Sequence, residues 1–350
     1  MPMFWMSATV VFVVAVAGFS QPGLAQQKPS VDPAVLPYAP VNELAGRLTI
    51  AGSETMQPLL IRMAAEFRRR YPEVKMAVEG GGSAAAIVDF LERSAMTRRG
   101  DGNVLGHEGG NQVLIMASSR ELSSEEVRRF FSRYGYPPTG IPIAVDAVAV
   151  YVHRDNPVEG LTLDQVDALF SKTRKRGFSN RIDRWGQLGL RGEWGQAEIR
   201  LYGRDRNSGT RAFFLEHVLQ QSEFTPSVME EPGQASLMLA VSRDRFGIGY
   251  GGIGYLASTV RTVPLAEREG MAYVAPSIAT AADGTYPLRR LLYLYINKSP
   301  GGLLQRAVQE FLTFANSREG QEVVIKSGFY PLGATQVERN LAVVTAVKSP

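Results

Sequence analysis

The sequence predicts an α/β protein of two lobes, with mixed sheets, flanking helices and a two-strand hinge. Three observations predict it. Short β-prone runs alternate with amphipathic helical stretches along most of the chain. Two other β-prone runs, IPIAVDAVAVYVH (141–153) and LRRLLYLYIN (288–297), are long and apolar enough to cross from one lobe to the other. The length, 350 residues, is a prior of about two domains and suffices to bury substantial cores. The expected division is a discontinuous lobe 1 (47–145 with 288–340) and a lobe 2 (146–287) inserted within it.

The elements follow in order. Residues 1–25 have the pattern of a signal peptide. ATVVFVVAVAGF (8–19) is too short an apolar core to span a bilayer comfortably, and Gly23 and Ala25 are small residues at the cleavage-recognition positions. The preceding MPMFWMS lacks the usual Lys or Arg. With no cysteine in the chain there is no lipid attachment point, disulfide or thiolate metal site, so release as a soluble protein is expected. Residues 26–46, with Pro29, Pro33, Pro37 and Pro40, read as a linker.

RLTIAG then begins the strand–helix rhythm. In the helix after it, Met56, Leu59, Leu60, Met63 and Phe67 share one face, and Pro58 falls in the first turn. VKMAV (74–78) leads through GGGS into AAAIVDFLER. VLIMASS precedes ELSSEEVRRFFSRYG, where Ser123 and Glu126 have capping-box spacing. IRLYGR (199–204) leads through DRNSGT into RAFFLEHVL. RGDGNVLGHEGGN (99–111) and the basic KTRKRGFSN (172–180) are read as surface loops.

Composition removes several function classes. A net charge of +4 lacks the bias of a nucleic-acid binder, so no nucleic acid is expected. His107, His153 and His217 have no ligand spacing, which gives no reason to expect a metal or other cofactor.

What remains is a pattern at the strand-to-helix joins. GSET (52–55), GGGS (80–83), ASSR (117–120) and GRDRNSGT (203–210) each place Gly, Ser or Thr at the join, and two carry Arg. Free N–H groups at a helix start favour anions, hydroxyls add donors, and a guanidinium fork matches a tetrahedral oxyanion. In open α/β sheets such joins lie beyond the carboxyl ends of the strands, where ligands sit. None of them ends in the Gly-Lys-Ser/Thr of a nucleotide loop. The plain alternative is a set of turns and caps.

The chain resembles the periplasmic phosphate-binding proteins of Pst-type ABC transporters. The resemblance runs from about Arg47 to Leu332 through AGSETMQPL, EGGGS, SSRELSSEE, the 141–153 run with its RDNPVEGLTLDQVDALFS continuation, YGRDRNSGTRAFF, GIGYGGIGY and FANSREGQEVVIKSGFYPL. It implies a two-lobed periplasmic-binding-protein (Venus flytrap) fold. It also implies capture of inorganic phosphate by a monomer in the periplasm, delivery to an ABC permease, and no enzymatic activity. Matched residue by residue, the implied site is Ser53, Thr55, Gly82, Ser83, Ser119, Arg120, Arg204, Ser208, Gly209 and Thr210, with Arg204 as the main charge partner. GIGY and SREGQ read as fold signatures.

One departure matters. Familiar binders of this kind carry Ser-Asp where this chain has Ser119-Arg120, and that carboxylate accepts the proton of phosphate. Asp146, alone in the apolar 141–153 run, is the preferred replacement; Glu54 is read as a solvent-facing residue at a helix start. The departure leaves a sulfate, molybdate or tungstate binder as an alternative. A serine hydrolase or phosphatase is a second alternative, although the chain has no GxSxG elbow. A receptor working without a transporter is a third.

Overall fold

The computed structural model describes residues 30–93, 115–255 and 257–346. The targeting segment and the glycine-rich loop at 99–111 lie outside the described residues.

Lobe 1 opens with β1 (Gly46–Gly52), α1 (Gln57–Arg70), β2 (Val74–Glu79), α2 (Ser83–Arg93), β3 (Ile115–Ser118) and α3 (Ser124–Tyr134). The stripe of α1 is buried as its spacing requires, from Leu59 and Leu60 to Met63 and Phe67, and Pro58 sits in its first turn. Both halves of the α3 capping box form, and Gly135 closes that helix in the left-handed region, at φ 78°. β4 (Thr139–His153) then leaves the lobe.

Lobe 2 follows as β5 (Leu161–Thr162), α4 (Leu163–Phe170), α5 (Glu193–Gln196), β6 (Arg200–Arg204), α6 (Gly209–His217), β7 (Val228–Glu231), α7 (Gln234–Arg243), β8 (Gly247–Gly252), β9 (Val260–Val263), β10 (Leu265–Ala266) and α8 (Ile278–Ala282). The chain returns through β11 (Arg289–Ile296) and ends in α9 (Arg306–Ala315), α10 (Arg318–Lys326) and α11 (Ala334–Thr345).

The main sheet is mixed, in the order β2-β1-β3-β11-β4-β8-β6-β7, with β9 also on β4. β1 runs parallel to β2 and β3, and β6 runs parallel to β7 and β8, so each lobe directs a set of strand ends toward one crevice. Separate cores flank the sheet. Ile50, Leu59, Phe67, Phe311 and Phe314 fill one layer of lobe 1, and Phe90, Phe130 and Tyr295 fill its other face. Tyr151, Phe170, Trp185, Phe214 and Tyr250 fill lobe 2, where Phe214 stacks on Tyr250 with centroids 3.8 Å apart.

The hinge differs from expectation in one strand. β4 serves both lobes, pairing with β11 through Ala147 and with β8 from Val148 onward. β11 stays with lobe 1. Beyond Val148 that edge of β4 is taken by β9, which pairs from Val150 to His153, so β11 cannot extend.

Residues 26–46 also depart from a free linker. From residue 30 on the segment lacks helix or strand until β1, yet Val35, Tyr38 and Leu44 are buried. The Tyr38 N–H donates to Glu319 Oε2 at 2.7 Å, and its hydroxyl meets that of Tyr71 at 2.8 Å. Apolar side chains at three of its positions let it pack as part of the body.

Candidate functional site

The β1–α1 join sets one wall. At Gly52 (φ 137°) a Cβ would lie 2.2 Å from the carbonyl oxygen of Ala117, so only glycine lets β1 turn this close to β3. The N–H of Ser53 donates to that same carbonyl at 3.0 Å. The helix proper begins later, capped by Met56 with no side-chain bond, so neither Ser53 nor Thr55 is used as its cap. The Ser53 hydroxyl is buried without a partner, and Thr55 Oγ1 lies 3.0 Å from Thr210 Oγ1 of lobe 2.

The second join brings Gly82, at φ 89°, and Ser83 to the same place. The Gly82 N–H donates to the Gly52 carbonyl at 3.0 Å, and a Cβ on Gly82 would stand 2.4 Å from the carbonyl oxygen of Asn207. Ala84 N–H donates to that carbonyl at 3.0 Å, a direct contact between the lobes. At the end of β3, Ser119 N–H donates to Ser83 Oγ at 3.3 Å, with the two hydroxyls also 3.3 Å apart.

From lobe 2, the β6–α6 join contributes Arg204, Ser208, Gly209 and Thr210. Ser208 is the N-cap of α6 and accepts from the Arg211 N–H at 3.3 Å. Gly209 packs so tightly on lobe 1 that a Cβ would be 2.5 Å from Ser83 Oγ and 2.6 Å from Ser119 Oγ. Arg204 is 1% exposed, yet its guanidinium finds only long contacts, Nη1 to Gln234 Oε1 at 3.4 Å and Nη2 to the Pro232 carbonyl at 3.5 Å. Its Nε has no partner. Charge-assisted bonds are normally about 2.7–2.9 Å, so this cation is under-satisfied. Burial pushes its pKa below the usual arginine value, with the charges of Asp205 and Glu54 pulling back.

The hinge supplies the remaining charges. Asp146 is fully buried; its Oδ2 accepts from Arg290 Nε at 2.9 Å and Nη2 at 2.7 Å, and its Oδ1 accepts from the Ile253 N–H at 3.1 Å. Burial pushes this carboxyl up while the Arg290 guanidinium pulls it down. Arg290 Nη2 also donates to Thr210 Oγ1 at 2.9 Å.

Two residues stand differently from the sequence reading. The guanidinium of Arg120 is not with these groups. It forms a bidentate pair with Glu126, at 2.8 and 2.7 Å, and donates to the Glu121 carbonyl at 2.7 Å. The cause is local: α3 begins at Ser124, not at the ASSR join, and its capping glutamate captures the nearby cation. Glu54 is half-buried rather than solvent-facing, and its Oε1 accepts from the Gly81 N–H at 3.1 Å. Arg290 is the participant that sequence reading missed.

The buried hydroxyls of Ser53, Thr55, Ser83, Ser119, Ser208 and Thr210 thus converge with two buried guanidiniums around one fully buried carboxylate, Asp146, with the half-buried Glu54 nearby. Donors exceed acceptors in a site sealed by both lobes, an arrangement that favours a compact anion. Among the described residues the hydroxyl partners are other hydroxyls, backbone N–H groups and Arg290, and none is a histidine. Among the described residues no cluster of three or more His, Cys, Asp or Glu could hold a metal. A separate open cleft of about 880 Å³ runs alongside between α3 and α6, lined by Glu121, Phe213, His217 and Arg290 among others. It shares Arg290 with the cradle but none of the cradle's hydroxyls.

Comparison with known proteins places this geometry. Residues 37–319 match the family described as PBP superfamily domain. The phosphate-binding protein PstS of Pseudomonas aeruginosa is 39% identical over 317 residues, covering 91% of this chain and 93% of that protein. PstS of Bacillus subtilis is 25% identical, covering 85% of this chain and 84% of that protein. Among solved structures, a putative phosphate ABC transporter substrate-binding protein of Clostridium perfringens, with bound phosphate, superposes with a TM-score of 0.64 at 24% identity, covering 82% of this chain and all (100%) of that one. An ABC-type phosphate transport receptor of Vibrio cholerae superposes with a TM-score of 0.59 at 21% identity, covering 81% and 100% respectively. These two likenesses speak for the fold.

Proposed function

This chain belongs to the PBP superfamily, among the PstS phosphate-binding proteins, and from that premise we propose that it captures inorganic phosphate between its lobes for an ABC permease. The observation that carries the reading is the cradle itself, with its buried hydroxyls and the under-satisfied guanidinium of Arg204. Phosphate enters while the lobes are apart, loses its water, and takes donors from Ser53, Thr55, Ser83 and Ser119 on one side and Arg204, Ser208, Gly209 and Thr210 on the other, while Gly82, its N–H given to the Gly52 carbonyl, shapes the wall. Closure then completes the shell. The work is binding alone, performed by a monomer exported to the periplasm. Among the described residues no helix is long and apolar enough to cross a membrane. Functionally, lobe 1 comprises 47–145 with 288–340 and lobe 2 comprises 146–287.

Asp146 supplies the discrimination. Its Oδ2 already takes two bonds from Arg290, so the proton of phosphate falls to Oδ1, beside the Ile253 N–H, with the Ala147 N–H also on the carboxyl. Fully ionised sulfate has no proton to give, so the same oxygen repels it. Calorimetric titration with phosphate and sulfate tests both statements. Phosphate is expected to bind at micromolar concentration or below, sulfate far more weakly, and Asp146→Asn to narrow the gap. Sulfate binding as tight as phosphate would refute the assignment in favour of another oxyanion.

A further inference from the structure

Arg290 lies where strand alternation calls for an apolar residue. It shares the buried parity of β11 with Leu292 and Leu294, opposite Asp146 in register. Such a cation is retained only against a compensating interaction, and Asp146 supplies part of one. The bonding is lopsided. Asp146 takes Nε and Nη2, and Nη2 also donates to Thr210, whereas Nη1, on the edge of the fork away from Asp146, is buried without a partner. Thr210 Oγ1 in turn touches Thr55 Oγ1, so the guanidinium is one hydrogen bond from a hydroxyl of lobe 2 and two from one of lobe 1.

Charge accounting points the same way. Among the buried charges of the cradle, with the half-buried Glu54 and Asp205 left aside, Arg204 and Asp146 alone would cancel and offer a doubly charged anion no net positive charge. Adding Arg290 leaves one net positive charge to meet it. We propose that Arg290 is a second cationic ligand of the anion, donating from Nη1, and that Asp146 is the positioning residue that holds the fork on its aim. Because Arg290 belongs to the lobe 1 sheet and bonds Thr210 of lobe 2, the same guanidinium couples occupancy to closure. The proposal rests on the reading of the cradle as a phosphate site.

The test uses calorimetry with inorganic phosphate on the full chain and four variants: Asp146→Asn, Arg290→Lys, Arg290→Gln and the double variant Asp146→Asn/Arg290→Gln. The double variant replaces the ion pair by neutral groups of similar shape, so its fold should persist, checked by melting without phosphate. It is expected to bind at least tenfold more weakly than Asp146→Asn alone. Arg290→Gln is expected to bind phosphate at least tenfold more weakly and Arg290→Lys, which keeps the charge, to recover part of that loss; a purely structural pair would move melting without phosphate and leave affinity alone. A folded double variant that binds phosphate within threefold of Asp146→Asn would overturn the proposal. If that variant fails to fold, a crystal structure of the parent with phosphate decides: the proposal stands if a guanidinium nitrogen of Arg290 lies within hydrogen-bond distance of the ion and falls if none does. Failure of the parent itself to bind phosphate would bring down the underlying reading instead.

Discussion

Alanine at Gly209 separates the closed arrangement of the lobes from the stability of either one. The new Cβ would stand 2.5 Å from Ser83 Oγ and 2.6 Å from Ser119 Oγ, both across the interface. Ordinary contact distances are about 3.5 Å, so the lobes would have to part locally by roughly 1 Å. Overpacking of this kind costs about 1–3 kcal/mol. Charged to the closed state alone, that is a loss of about fivefold to 150-fold in affinity. The open state has no reason to object. Gly209 is not among the positive-φ glycines, and it occupies the first turn of α6, where alanine is acceptable and restricts the unfolded chain. The variant should therefore melt without ligand at or slightly above the parent temperature, bind phosphate more weakly, and show less contraction on ligand addition in small-angle scattering. Unchanged affinity with an unchanged scattering response would show that the bound state does not bring α6 onto Ser83 and Ser119, and the reasoning would fail.

Three further outcomes follow from the same geometry. Ser53→Ala removes a buried hydroxyl with no partner, so its cost should appear as a roughly tenfold weaker phosphate Kd and little change in melting without ligand. Gly52→Ala should do the reverse, lowering stability by about 2 kcal/mol or more, since its φ of 137° and the Ala117 carbonyl at 2.2 Å leave a Cβ no room. At Asp244, burial would raise the carboxyl, but bonds from Arg200, Tyr202 and the Phe246 N–H outweigh it and hold it below its usual value. Its ionisation therefore stabilises the fold above the unfolded value of about 3.9 and is lost as the pH falls through the lower folded value. Asp244→Asn should cost about 1 kcal/mol at neutral pH, and melting of parent and variant should converge below about pH 4; a constant gap down to pH 2.5 would contradict this.

Much of the cradle was legible because its parts are local. GSET, GGGS and GRDRNSGT each combine a glycine turn with hydroxyls in a few consecutive residues, and each reaches the site. Arg120 did not, because its fate depends on Glu126 six residues on, and a guanidinium goes to the nearest carboxylate that can take both prongs. Arg290 was missed for the opposite reason: its partner is 144 positions away, and only the register of β4 against β11 reveals the pair. A signal was present, since a charge at a buried-parity position in each of two long apolar runs calls for its complement in the other. The shortened crossing of β11 was not legible, because β9 is short and its place on β4 is tertiary.

The path of the chain through the sheet also constrains the order in which the molecule can be assembled. β11 lies between β3 and β4, so until residues 289–296 exist those two strands have nothing to pair through, and lobe 1 remains in two pieces. Lobe 2 suffers no such delay, since the second half of β4 and β6 to β9 all lie within 148–263. A chain made from its amino end can therefore pair the strands of the inserted lobe first and holds β1, β2 and β3 unclosed while it waits. Long-range pairing of this kind makes folding slow. The cradle, which needs both lobes, is the last thing to exist.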